Sequence, residues 1–231
     1  MMQYAFSLAA LLVLVGCPLA VAQEDSPKSG EEIVLFDGKN LDQWRGYGQE
    51  AIGSGWKVED GILKFDGSGG GDIITKETFK DFEFVFDWAV TDGANSGVMY
   101  KVSLGDNAPY LSGPEYQILD DAKHGDGKNP LTSAASLYGL YSSGDAKPNP
   151  VGEWNQGKIV ISGNKIQHWL NGKLAVEAEL GSPDWNERLN KSKFKDWKKF
   201  AVNKEGHLCL QDHGNEVWFR NLKVTKLDKD N

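Results

Sequence analysis

The sequence predicts an all-β protein, an antiparallel β-sandwich of jelly-roll type, built as a single domain with long loops and a short helical segment near 183–199. Three features point there. Lys80–Trp88 (KDFEFVFDW) alternates strictly, so Phe82, Phe84, Phe86 and Trp88 share a core face while Glu83, Val85 and Asp87 take the other. Short β-rich runs recur along the chain, separated by Gly, Asn and Asp. Two tight-turn signals, Ser162-Gly163-Asn164-Lys165 and Asn171-Gly172, join consecutive runs, and Asn-Gly suits the positive φ of a type I′ turn.

At the N-terminus an apolar run of a dozen residues, Ala5 to Gly16, is too short to span a bilayer, which takes about 20. With Ala20-Val21-Ala22 behind it, the segment 1–22 reads as an export signal cleaved after Ala22, although it carries no Lys or Arg. Leu14-Val15-Gly16-Cys17 also resembles a lipobox, whose Cys17 would carry a lipid anchor; Pro18 favours plain export. Residues 23–32 are polar and expected to be a flexible leader, with the domain running over 33–227.

Within the domain, Ser96–Val102 and the run from Glu115 follow the Phe-rich strand. His124–Gly152, rich in Gly, Pro, Ser and Asn, is a loop long enough to be functional or disordered. Gly157–Ile161, Ile166–Leu170 and Lys173–Glu177 are the hairpin strands. Ser182 caps a helix with Pro183 at its first position and Asp184 and Glu187 in its first turn, and His207–Gln211 and Val217–Val224 close the sandwich. The eight Trp are mostly core, with Trp88, Trp169 and Trp218 in strands.

The net charge of −8 falls entirely after residue 23 and no basic patch offsets it, which excludes nucleic acid as a partner. Signal removal would leave Cys209 as the sole cysteine, so no intrachain disulfide forms, and its apolar neighbours Leu208 and Leu210 mark it as inert. Zinc spacings, P-loops, G-x-S-x-G elbows and Cys-His pairs are absent. Asp66–Asp72 (DGSGGGD) is a flexible hairpin turn, with oxygen ligation of calcium as its alternative.

The run GPEYQILDD carries the chemistry. Period 2 puts Glu115, Gln117 and Leu119 on one face, with Tyr116, Ile118 and Asp120 behind. A retaining glycosidase needs two carboxylates about 5–5.5 Å apart, and this face offers one. Such a cleft needs chemistry with a single base and several neutral or cationic polarisers. His207, Cys209, Gln211 and His213 share a second face; Glu153-Trp154-Asn155 and Asn95 with Lys101 add amides, an aromatic and a cation of the kind sugar hydroxyls require. Each also has a plain structural reading: Glu115 and Gln117 as a solvated sheet face, His213 as a turn residue, Glu153 as a loop acid, His124 as surface.

Six ordered motifs, LFDGKNLDQWRG, WKVEDGILKF, ANSGVMYK, GPEYQILDD, GEWNQGKIVISGNKIQHWLNG and GHLCLQDHGNEVWFRNLKV, span about residues 33–227 and closely resemble the 3-keto-disaccharide hydrolase family. The resemblance implies a concanavalin A-like jelly roll acting on 3-keto glycosides, which a sugar 3-dehydrogenase makes upstream. It implies a 3-keto-glucoside lyase with 3-keto-2-hydroxyglucal hydratase activity, and so net hydrolysis. On that footing Glu115 is expected as base or acid. His213 is the second proton-transfer group, and Gln117, Gln211 and Lys101 bind or polarise oxygens, with Asn95, Glu153, Trp154 and Asn155 completing the cleft. Arg is common in the family where this chain has Lys101, and Lys lacks its planar two-pronged donor. A divalent metal on the ketone, held by Glu115 and His213, is the one cofactor to weigh, though no ligand spacing demands it. Two other classes compete: a non-catalytic lectin-like module, and a conventional retaining glycosidase acting on unoxidised glucans.

Overall fold

In a computed structural model, residues 29–228 are described, together with Met1; the expected export signal from residue 2 on, with Cys17, and the first part of the expected leader lie outside the described residues. Among the described residues, thirteen strands form two antiparallel sheets. The larger holds β1 (Ser29–Phe36), β3 (Trp56–Glu59), β4 (Ile62–Asp66), β6 (Phe82–Val90), β9 (Asn155–Ser162), β10 (Lys165–Leu170), β11 (Lys173–Glu179) and β13 (Glu216–Leu227). Its order is β11-β10-β9-β6-β13-β4-β3, with β1 pairing the far half of β13. The smaller sheet is β2 (Trp44–Gly46), β5 (Ile73–Thr75), β12 (His207–Leu210), β7 (Asn95–Val102) and β8 (Glu115–Leu119), in the order β2-β5-β12-β7-β8. This is the expected jelly-roll sandwich. β1 starts at Ser29, four residues ahead of the expected domain start, because Ser29–Phe36 has β13 to pair with.

The core lies between the sheets. Phe82, Phe84, Phe86 and Trp88 from β6 meet Tyr100, Tyr116, Ile118 and Leu210 from the smaller sheet, all fully buried. Phe86 and Tyr116 pack edge to face with centroids 5.3 Å apart. The Asn171-Gly172 turn has φ of 50° and 79°, as a type I′ hairpin requires. Four of the eight Trp (Trp44, Trp56, Trp88 and Trp185) are buried, whereas Trp169 and Trp218 are only half-buried on the outer face of the larger sheet. Their strands carry them, but on the solvent side of the pleat.

Two connections position the site. α1 (Pro183–Lys191) is capped as expected, Ser182 Oγ accepting from Trp185 N at 3.1 Å. The chain after it, 192–202, is non-helical and lies over the outer face of the smaller sheet, where Ala201 N donates to Ser112 O. The 124–152 loop is ordered rather than loose: Ala134, Ala135, Leu137 and Leu140 are buried, and Ala135 N donates to Gln117 O. A small second cluster, Ile74, Met99, Val102 and Cys209, lies on the outer face of the smaller sheet beneath these coverings. Burial pushes the Cys209 thiol pKa up, in keeping with an inert role.

Candidate active site

The outer face of the smaller sheet is the floor of a cleft of about 300 Å³. Glu115 and Gln117 on β8, Asn95 on β7, and Gln211 and His213 after β12 all line it. Alternation explains the convergence: with Tyr116 and Ile118 committed to the core, Glu115 and Gln117 must face outward, and β7 beside them presents Gly97 and Met99 on the same side. The plain reading of this face as solvated surface is corrected, since Gln117 is 1% exposed, Asn95 3% and Gln211 8%.

Glu115 is half-buried, open to the cleft while protein crowds its carboxyl. Burial raises its pKa to about 8; the Lys193 ammonium opposes the rise, and the Asp72 and Asp126 carboxylates add to it. With its amide nitrogen turned toward Glu115, Gln117 donates to Ser96 O at 3.0 Å and to Glu115 Oε1 at 3.3 Å. Asn95 Oδ1 and Gln211 Oε1 are buried without a partner among the described residues, and such atoms each cost about 1–3 kcal/mol until something satisfies them. The floor therefore carries one carboxylate among amides with unused hydrogen-bonding capacity.

The walls are aromatic, as a sugar cleft requires, but they come from residues other than Trp154. Tyr110, Phe194, Trp197 and Phe200 line one side, Phe194 and Phe200 stacked at 4.1 Å and Trp197 set edge-on to Phe194 at 5.0 Å. Tyr138, from the 124–152 loop, stands beside the base: its N donates to Glu115 O at 3.0 Å and its hydroxyl to Asp126 Oδ2 at 3.3 Å. Burial, with the charges of Asp126 and Glu115, pushes its pKa up to about 12. Lys193 lies over the Tyr138 ring at 4.4 Å. A signal for this wall exists in the sequence, the three aromatics of FKDWKKF at i, i+3 and i+6, but it reads equally as a helix face.

Four expected residues lie elsewhere. Lys101 does not reach the cleft. It has φ of 56°, and the β7–β12 register shifts beside it, so the alternation breaks: Met99 and Val102 share the outer cluster and Lys101 leaves it. Its Nζ donates to Lys204 O at 2.8 Å instead. Asn155 opens β9 of the larger sheet, across the core from the cleft, and Glu153 and Trp154 lie in the loop just before it. Glu153 is exposed, Trp154 lies beneath the Arg220 guanidinium at 4.1 Å, and Asn155 Oδ1 accepts from Asn149 N at 2.7 Å and Asn171 Nδ2 at 2.9 Å. His207 keeps the outer face, paired with Val102, but does not line the cleft; its Nδ1 lies 2.8 Å from Thr75 O.

Asp72, at the end of the Gly-rich turn, shares its face with Ile74 and accepts from Asp212 N at 2.9 Å. Burial and the Asp212 charge raise its pKa to about 6. Three strand spacings, about 14 Å along the sheet, separate it from β8, too far for a double-displacement pair with Glu115. Among the described residues no group of three or more His, Cys, Asp and Glu side chains converges to hold a metal ion. Glu115 and His213 share the cleft without a third such ligand, so the donor set does not fit the divalent metal considered above.

A model of the 3-keto-alpha-glucoside-1,2-lyase-like domain matches residues 31–225. The chain is 38% identical to the 3-keto-disaccharide hydrolase of Bacteroides thetaiotaomicron over 227 residues, covering 85% of this chain and 78% of that protein. A crystal structure of a candidate glycosyl hydrolase from Parabacteroides distasonis superposes with a TM-score of 0.80 at 32% identity, covering 85% of this chain and 94% of that one. A galectin-like protein of Bacillus subtilis, at 13% identity and TM-score 0.52 over 89% of this chain and all of that one, shares the fold alone.

Proposed function

The chain belongs to the 3-keto-alpha-glucoside-1,2-lyase-like family, and we propose that it cleaves 3-keto glycosides by elimination followed by hydration, with Glu115 as the base. Membership makes it a carbohydrate-active enzyme of glycoside-hydrolase type. One observation carries the finer reading. Glu115 is the sole carboxylate among the described residues lining the cleft, and its pKa lies near 8. That is too few acids for a retaining glycosidase and suits a base working near neutral pH.

A ketone at C3 acidifies the C2 proton. Glu115 takes that proton, the electron pair passes into the C2–C3 enolate and then forms C1=C2, and the C1–O bond to the aglycone breaks. The aglycone leaves with a proton, which His213 at the cleft rim is placed to deliver. Water then adds across C1=C2, hydroxyl to C1 and proton to C2, so the sum is hydrolysis. Asn95, Gln117 and Gln211 bind the sugar oxygens, and the unpaired amide atoms supply the reason: a bound polyol would satisfy them. The aromatic wall takes the apolar face of a pyranose. A dehydrogenase oxidising the sugar at C3 would supply the substrate, and residues 1–22 would direct the chain to export.

The test is turnover of 3-keto-trehalose and a 3-keto glucoside beside the unoxidised sugars, followed by NMR in deuterated water with EDTA-treated and metal-supplemented samples. Release from the keto sugars alone, with deuterium entering at C2 and no dependence on metal, is the expected result. Binding without turnover of any sugar would turn the reading to a lectin-like module. Turnover of unoxidised glucans would turn it to a conventional glycosidase.

A further inference from the structure

We propose that Lys193 is the electrophile of this cleft, its ammonium donating to the C3 carbonyl oxygen and holding the negative charge that gathers there as Glu115 removes the C2 proton. The inference rests on the reading above and deepens it by naming the group that stabilises the enolate, which no expected residue supplies now that Lys101 faces away.

Lys193 is the one Lys or Arg among the described residues lining the cleft. It forms no ion pair and no hydrogen bond among the described residues, whereas other surface lysines such as Lys191, Lys199 and Lys226 each grip a carboxylate. Three ring faces hold it instead: Tyr138 at 4.4 Å, Phe194 at 5.2 Å and Trp197 at 6.0 Å. Aromatic faces fix a cation while leaving its N–H donors free, so the arrangement presents unused donors to a ligand. Tyr138, whose ring lies beneath the ammonium, donates its backbone N–H to the Glu115 carbonyl, and all three residues line the same cleft. The Lys193 charge also reaches the Glu115 carboxyl, where it opposes the effect of burial.

The geometry asks for an oxyanion. The Gln117 amide nitrogen is already engaged by Ser96 and Glu115, and an enolate oxygen carries close to a full charge, for which a cationic donor in a partly desolvated cleft contributes most. The step is non-covalent: the C2–H bond breaks to Glu115, the electron pair moves to the C3 oxygen, and Lys193 keeps all its protons while hydrogen-bonding that oxygen.

Lys193→Met, Lys193→Arg and wild type would be compared on a 3-keto glucoside across pH 5–10, with sodium borohydride added to a parallel sample and mass spectrometry of the protein. Lys193 is exposed, so the variants should keep the wild-type melting temperature. The expected result is kcat down about 100-fold in Lys193→Met with KM changed far less, substantial recovery in Lys193→Arg, and no borohydride-trapped adduct. The acid limb of kcat/KM should also move to higher pH in Lys193→Met, since Asp72 and Asp126 then act on Glu115 without the opposing charge; Tyr138 and His213 are the remaining titratable neighbours. Wild-type kcat in Lys193→Met, or a loss with no movement of the limb, overturns the assignment while leaving the Glu115 elimination standing. A trapped lysine–sugar adduct overturns the non-covalent form. A wild-type chain inert toward every 3-keto sugar removes the parent reading and this inference with it.

Discussion

Gly97 lies directly beneath the carboxyl of Glu115. The two occupy neighbouring strands, Gly97 paired with Gln117 and Glu115 with Met99, and the Glu115 side chain leans diagonally across the bare Cα of Gly97. A Cβ built there would overlap Oε1, Cδ and Cγ of Glu115 at once. The glycine is required for this close approach and not for its backbone angles, which lie in the ordinary range.

Gly97→Ala should therefore leave the fold intact and remove the chemistry. The strand tolerates alanine, and the methyl group displaces the base by about 1 Å, a shift that can cost about 100-fold in rate. Kinetics on the 3-keto substrate beside a thermal melt would check it. Unchanged kcat would show that Glu115 can work from another rotamer.

Glu115→Gln should abolish turnover and stabilise the fold above mildly acidic pH. The folded-state pKa of about 8 lies above the 4.5 of a free Glu, so the folded state binds the proton more tightly. The linked stability is fully present below pH 4.5 and lost as pH rises through 8. Glutamine mimics the protonated acid and escapes that loss, by roughly 3 kcal/mol above pH 9 after allowance for partial exposure. Denaturant melts at pH 5 and pH 9 read the gap, which should be several times wider at the higher pH. A gap equal at both values would refute the pKa assignment.

Much of this was legible in the sequence because alternation is rigid. Once Phe82, Phe84, Phe86 and Trp88 announce a core face, and Tyr116 and Ile118 must join it, Glu115 and Gln117 have nowhere to point but the cleft. Lys101 escaped the same argument because one residue at positive φ shifts the parity of everything after it, and a lysine gives no hint of that conformation. Glu153, Trp154 and Asn155 failed for a different reason: period 2 tells which face a residue takes, not which of two sheets its strand joins. The wall of Tyr138, Lys193, Phe194 and Trp197 comes from connections, whose path over the sheet depends on tertiary contacts that carry no local periodicity.

Activity should climb with pH. If ionised Glu115 is the base, its limb of kcat/KM rises about tenfold per pH unit below pH 8. Asp72→Asn removes a like charge while keeping an acceptor for Asp212 N, so the limb should move down; Lys193, Asp126, Tyr138 and His213 remain to set it. A limb that stays in place would mean that the Asp72 charge does not reach the base.

Lys101→Ala separates motif position from geometry. Lys101 sits in the ANSGVMYK motif two strand positions from Met99, and sequence alone makes it a substrate ligand. In the fold it is 2% exposed, and it ties Lys204 through Nζ and Asn203 through its carbonyl, joining β7 to the loop before β12. Truncation leaves the Lys204 carbonyl without its donor and opens space under that loop, a cost of about 2 kcal/mol in stability. Turnover per folded molecule should stay within about twofold of wild type, as it should for Glu153→Gln and Trp154→Ala beside the opposite sheet. Activity measured at 15 °C, well below the lowered melting temperature, keeps the two effects apart. A large rise in KM there, with the protein still folded by circular dichroism, would return Lys101 to the cleft and require the strand to shed its bulge on binding.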